Sequence, residues 1–191
     1  PTLNSLNSGT HYRMIAQNKV NPCRPGHGAS CAFCCGSHNY TLTPESIEEI
    51  FTGRSSVLLP RLSSRHPEES DMEKLVREGM QCPHVGISAS EPGIVCCLSY
   101  NDSDKPPALR SFFTGTCKNF YCVAWNELNA RQILFAAELM GDWYYYSLLI
   151  NCIDILTDLC AEYDHPSDIP GSVIEDLKLE LVKKLHEDDL I

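Results

Sequence analysis

Eleven cysteines, at positions 23, 31, 34, 35, 82, 96, 97, 117, 122, 152 and 160, are the residues best suited to chemistry in this chain of 191 residues. Thiolates are soft donors that select zinc, copper(I) or iron–sulfur clusters, and close spacing lets one turn present several sulfurs to one ion. Cys31-Ala-Phe-Cys34-Cys35 is such a turn, and Cys117-x4-Cys122 repeats the theme, with Cys82-Pro83 and Cys96-Cys97 between them. A single Cys-x-x-Cys also suits a redox dithiol. Four cysteine-bearing segments within about a hundred residues point instead to a shared inorganic centre.

The cysteines sort by their surroundings. Cys152 and Cys160 lie eight apart in an apolar stretch that predicts a helix, and they read as small buried hydrophobes. Successive residues of a strand face opposite sides, so only one of Cys96 and Cys97 can look into a given site, and Cys97 is taken as that ligand. The candidate set is therefore Cys23, Cys31, Cys34, Cys35, Cys82, Cys97, Cys117 and Cys122. His27 and His84 stand close to cysteines, but a solvent-facing or backbone-bonded role is expected for them ahead of ligation. Nucleophile elbows, phosphate loops, His-Glu-x-x-His and dinucleotide fingerprints do not occur, and catalytic residues are not assigned. Whether the chain is an enzyme stays open.

Composition narrows the setting. With 25 acidic against 15 basic residues the formal net charge is -10, which repels phosphate backbones, and nucleic acid is not an expected partner. A hydrophobic content of 43% supports a core. The apolar stretch from Ile133 to Cys160 carries Glu138, Asp142, Asn151, Asp154 and Asp158, too many polar groups for a membrane span of about 20 apolar residues. An odd cysteine count and an apolar helical last third favour a reduced, cytoplasmic protein over a secreted disulfide scaffold. A secretory leader is not recognisable.

These residues need elements to position them. The sequence predicts an α+β, mostly α fold, with a cysteine-rich, loop-dominated metal-binding front packed on a helical C-terminal part. An N-terminal arm is expected over 1–22, the cysteine-rich region over 23–123, and the helical part of the same domain over 124–191. Gly26, Gly28 and Gly36 permit the positive φ of a loop wrapped around an ion. Thr43 caps a first helix with the stripe Ile47, Ile50 and Phe51, which Gly53 is expected to end, with irregular chain from Ser55. Asp71 to Met80 predicts a short helix, and Gly93 to Tyr100 a strand. One helix is expected from Ala124 to Met140, stopped by Gly141, and a second from Asp142 to Tyr163. Trp143 and Tyr144 to Tyr146 read as core plus rim. Beyond Pro166 and Pro170, Ser172 and Glu175 form the capping box of a last helix with the stripe Ile174, Leu177, Leu181 and Leu185.

The order of these motifs resembles the YkgJ-like family, zinc- or iron-chelating domains of the CxxCxxxCC type. Cys31-Ala-Phe-Cys34-Cys35-Gly36 is similar to the family's opening motif, and Thr41-Leu-Thr-Pro-Glu-Ser-Ile47 to the helix that follows it. Cys82-Pro83 and Cys97-Leu-Ser-Tyr100 resemble its Cys-Pro and Cys-x-x-Tyr elements, and Cys117-Lys-Asn-Phe120-Tyr-Cys122 its closing motif. Lys105-Pro106-Pro107 and Arg110 stand where an Arg-Pro is usual. The resemblance covers roughly residues 23 to 122 and implies binding of zinc or iron. A related domain occurs in flagellin lysine methylases, where an iron–sulfur cluster is associated with methyl transfer, but this chain matches no methyl-donor site. Zinc prefers paired Cys-x2-Cys turns and only one is present, so an iron–sulfur cluster, of the four-iron, four-sulfur kind, is expected ahead of zinc. The alternative expectation is a structural zinc module whose helical half binds a protein partner.

Overall fold

The computed structural model describes residues 20–39, 43–62, 82, 84–98, 117 and 120–187. The expected helix over Asp71 to Met80, Tyr100, and the arm as far as residue 19 lie outside them.

Helix α1 spans Pro44–Leu62. Thr43 caps it as expected: its Oγ1 accepts from the Ser46 N–H at 3.3 Å and its carbonyl from Ile47 at 3.1 Å. The stripe is confirmed where Ile47 and Phe51 are fully buried, each burial being worth roughly 1.5–3 kcal/mol. Gly53 does not end the helix. Glycine inside a helix costs only about 1 kcal/mol relative to alanine, and the next turn is anchored elsewhere. Arg54 Nη1 donates to the carbonyls of Cys82 (3.4 Å) and Val85 (3.1 Å), and Ser55 Oγ donates to the Ile87 carbonyl (2.9 Å). These bonds hold α1 against a strand, and the continued helix replaces the irregular chain expected from Ser55.

That strand, β1 (Val85–Ile87), pairs antiparallel with β2 (Val95–Cys97) in the register Val85↔Cys97, Gly86↔Cys96 and Ile87↔Val95. Only β2 was legible from the sequence. The pair approaches α1 closely at Gly86, where a Cβ would lie 2.5 Å from Ser55 Oγ and 2.9 Å from Leu98 Cδ1.

The C-terminal part is helical, but each of the two long helices expected there is divided. Helix α2 (Val123–Glu127) stops at Leu128, and α3 (Ala130–Met140) begins after Asn129. The division is a capping box: Asn129 Oδ1 accepts from Gln132 N–H, and Gln132 Oε1 accepts from Asn129 N–H, both at 3.1 Å. Gly141 ends α3 at φ 64°, as expected.

Helix α4 (Tyr144–Leu149) and helix α5 (Ile153–Glu162) replace the single helix expected from Asp142 to Tyr163. Ser147 Oγ lies 2.6 Å from the Trp143 carbonyl, and Asn151 Nδ2 donates to the Ser147 carbonyl at 2.8 Å. Side chains that bond back to the preceding turn compete with helix propagation. Cys152 therefore precedes α5 while Cys160 lies within it, so they do not share one continuous helix; both are half-buried and pack against the core.

Helix α6 (Gly171–Glu187) starts one residue before the expected capping box. The Pro170 carbonyl accepts from Val173 (3.0 Å) and Ile174 (3.2 Å), which satisfies its first turn in place of Ser172. Leu177, Leu181 and Leu185 are buried, as the stripe requires.

One cluster of buried side chains joins front and back, running from Ala29, Phe51 and Val95 through Ala136 and Tyr146 to Leu181. The described chain is mostly helical, with one two-stranded sheet. Among the described residues no helix is long and apolar enough to cross a membrane.

Candidate metal centre

The loop from Cys23 to Gly36 is folded by its own backbone. Gly26, Gly28 and Gly36 take φ of 97°, 76° and 79°, with His27 at 56° between the first two. Asn21 Oδ1 accepts from Cys23 N–H at 2.9 Å, and Cys31 N–H donates to the Cys23 carbonyl at 3.1 Å, which brings those two cysteines side by side. A 3-10 turn over Phe33–Cys35 then closes on Gly36, whose N–H donates to the Phe33 carbonyl at 2.8 Å. Within it the Phe33 N–H points at Cys31 Sγ, 3.5 Å away. An amide aimed at sulfur stabilises the thiolate and tunes a metal that the thiolate holds.

The remaining segments are tied to this loop. Cys82 N–H donates to the Cys35 carbonyl at 2.9 Å, joining the second turn to the first. Val95 N–H donates to the buried Ser30 Oγ at 3.0 Å, which draws β2, with Cys97, against the loop. Arg24 forms an ion pair with Glu91 between the strands. Behind the loop, the Tyr146 hydroxyl donates to the Pro22 carbonyl at 2.9 Å. His38 closes the far end: its Nδ1 meets Ser37 Oγ at 2.8 Å and its Nε2 meets the Tyr144 carbonyl at 3.1 Å. A Cβ on Gly28 would meet the Gly141 carbonyl oxygen at 3.0 Å, so the loop lies directly on the end of α3.

The thiols sense one another. Cys35 is pushed up by the neighbouring Cys34 and Cys82 thiols and by burial, whereas Cys34 and Cys82 are each lowered to about 7, first through the Cys35 thiol. The N–H groups of His84 and Val85 and the Arg54 guanidinium further favour a Cys82 thiolate. Cys31 is raised to about 12 by burial, against the pull of the Phe33 N–H and the Ser147 hydroxyl. Cys23 is exposed as a residue, yet burial around its thiol raises it, followed by the charges of Cys31, Cys34, Cys122 and Cys97. Cys117 is raised by burial and then by Cys82 and Cys34.

All eight expected site cysteines thus fall within one electrostatic neighbourhood. Among the described residues, no group of three or more His, Cys, Asp or Glu side chains is arranged to hold an ion. Sulfurs sharing one zinc at about 2.3 Å stand about 3.8 Å apart. The donor set is all sulfur, which suits zinc or an iron–sulfur cluster, and none of the eleven cysteines forms a disulfide.

Cys96 is half-buried on β2, His27 is exposed, and His84 is buried beside Cys82. Sequence reasoning missed the support: Ser30, His38, Arg54, Tyr146 and Ser147 contact the cysteine turns from positions with no local motif. Arg54 alone left a trace, as a cation one turn beyond the α1 stripe. No family model matches this sequence, and no curated protein or solved structure is significantly similar to it.

Proposed function

We propose that this protein holds a metal centre through cysteine thiolates, an iron–sulfur cluster first and zinc second, and that it acts through that centre in redox chemistry, metal handling or a modification reaction. One observation carries the reading. Cysteines from segments 23–35, 82, 97 and 117–122 influence one another's charge, and the Phe33 N–H is aimed at the Cys31 sulfur, which supports the reading. Packing alone needs no such convergence, since buried cysteines serve as small hydrophobes one at a time.

Cys34→Ala and Cys117→Ala test it. Each should lower metal content and folding stability together, because ligation energy is partly folding energy. Full metal content in both variants would refute the assignment. A second reading, a zinc module that docks a protein partner, is favoured by Phe120, Tyr121 and Val123, which are 59%, 52% and 57% exposed around Cys122. Charged replacements at Phe120 and Val123 that leave metal content intact but abolish co-purification of a defined partner would support it.

A further inference from the structure

Two of the proposed ligands, Cys82 and Cys97, stand outside the cysteine loop and must be brought to it. We infer that Arg54 is the positioning residue that does so: from α1 it fixes the Cys82 turn and, through β1, the strand that carries Cys97. This rests on the metal reading proposed above and names a residue on which its affinity depends.

The hydrogen bonds converge on one guanidinium. Cys82 N–H meets the loop at the Cys35 carbonyl (2.9 Å), and the turn that follows closes with Val85 N–H on the Cys82 carbonyl (3.3 Å). Arg54 Nη1 donates to the carbonyls at both ends of that turn, Cys82 at 3.4 Å and Val85 at 3.1 Å. Val85 is the register partner of Cys97 across the sheet. Beside it, Leu98 N–H donates to the His84 carbonyl at 2.7 Å. A grip on Val85 is therefore also a grip on the strand of Cys97.

Arg54 is itself held from behind. Its guanidinium carbon lies 5.4 Å from the centre of the Phe51 ring, and that buried ring lies 5.7 Å from Trp143. The next residue, Ser55, is buried and donates to the Ile87 carbonyl at 2.9 Å. Two consecutive side chains thus bond the carbonyls of residues 82, 85 and 87, and the close approach at Gly86 leaves no slack between helix and strand. The strand cannot slide along α1 without breaking these bonds together. A planar guanidinium presents several N–H donors in a rigid fork, which a lysine ammonium does not reproduce.

The test is the affinity of the full-length, reduced, metal-free chain for Cd²⁺, read by sulfur-to-metal charge transfer in competition with a chelator. Arg54→Met keeps an apolar stem over Phe51 and removes the donors. It should weaken binding by roughly 10–100-fold, the usual cost of losing a group that orients ligands from behind. Arg54→Lys should weaken it to a smaller extent, and serves where Arg54→Met does not fold. Arg131→Met, which removes an arginine bonded to Asp164, should leave affinity unchanged. In a Cys82→Ser chain, Arg54→Met should cost less affinity than in the wild type, because one ligand it positions is gone. Circular dichroism checks folding, and a merely structural arginine would lower the urea midpoint of the metal-free chain without weakening Cd²⁺ binding by the folded one. Unchanged affinity in either folded Arg54 variant, or equal losses with and without Cys82, would overturn the assignment while leaving a metal site in place. A wild type that takes up no Cd²⁺ would refute the metal reading itself, and the role of Arg54 with it.

Discussion

His38 ties the cysteine loop to the helical back, and its protonation should loosen that tie. The ring is 2% exposed, packed against Phe33 (5.2 Å between centroids), Trp143 (5.6 Å) and Tyr144 (4.6 Å), with both nitrogens engaged. Burial lowers its pKa from 6.5 to about 4, against the opposing pull of the Tyr144 carbonyl. The unfolded chain therefore binds a proton in this interval that the folded chain refuses. His38's contribution is complete above pH 6.5 and is lost as pH falls through 4. A shift of this size corresponds to about 3 kcal/mol.

Urea unfolding of the metal-free protein at intervals between pH 7 and 4, followed by circular dichroism, measures the decline. Carboxylates contribute to it as well, so the informative quantity is the difference between wild type and His38→Phe. The variant should be less stable at pH 7, having lost two hydrogen bonds, and its stability should fall less steeply with acid, so that the two curves converge by about 3 kcal/mol. Parallel curves would show that the imidazole titrates normally and that its burial has been misread.

Other predictions concern single sites. In metal-free protein at pH 7, Cys34 and Cys82 should be alkylated by iodoacetamide before Cys31 or Cys35, as peptide mass spectrometry would show. Lowering a thiol from 9.0 to about 7 gives about fifty times more thiolate, and lower intrinsic nucleophilicity takes back about eightfold, leaving a rate about six times that of an ordinary cysteine. Uniform labelling would contradict the influence of the Cys35 thiol on Cys34 and Cys82. Gly86→Ala should destabilise the fold by about 1–3 kcal/mol, since its Cβ must push aside Ser55 Oγ and break the bond to Ile87; an unchanged urea midpoint would contradict that packing. Cys152→Ala should lower stability modestly and leave metal content untouched; loss of metal would show that a ligand had been mistaken for a core residue.

The sequence made some parts of this molecule legible and hid others, for physical reasons. Apolar spacing marked Ile47 and Phe51 in α1 and the Leu177, Leu181 and Leu185 stripe in α6, because a helix face announces itself every three to four residues. Thr43, with Pro44 after it, marked where α1 begins. Where α1 ends was not legible, since Gly53 is overruled by bonds from Arg54 and Ser55 to a strand some thirty residues away. The breaks at Asn129 and Asn151 were readable in principle, the first as Asn129-x-x-Gln132, but the apolar run across them masks the caps. Strand β1 is three residues long, too short to show alternation. The glycines that turn the cysteine loop were legible, since Gly26, Gly28 and Gly36 all take positive φ. What supports the loop was not, because Tyr146 and Arg54 reach it through tertiary contacts.

The most direct test is to purify the protein anaerobically and to measure iron, acid-labile sulfide and zinc per chain, alongside its visible spectrum. The account predicts a brown protein absorbing near roughly 400 nm, with iron and sulfide in equal amounts, or a colourless one with stoichiometric zinc. A colourless, metal-free chain that is fully folded and stable, with its thiols in the reduced state, would contradict it.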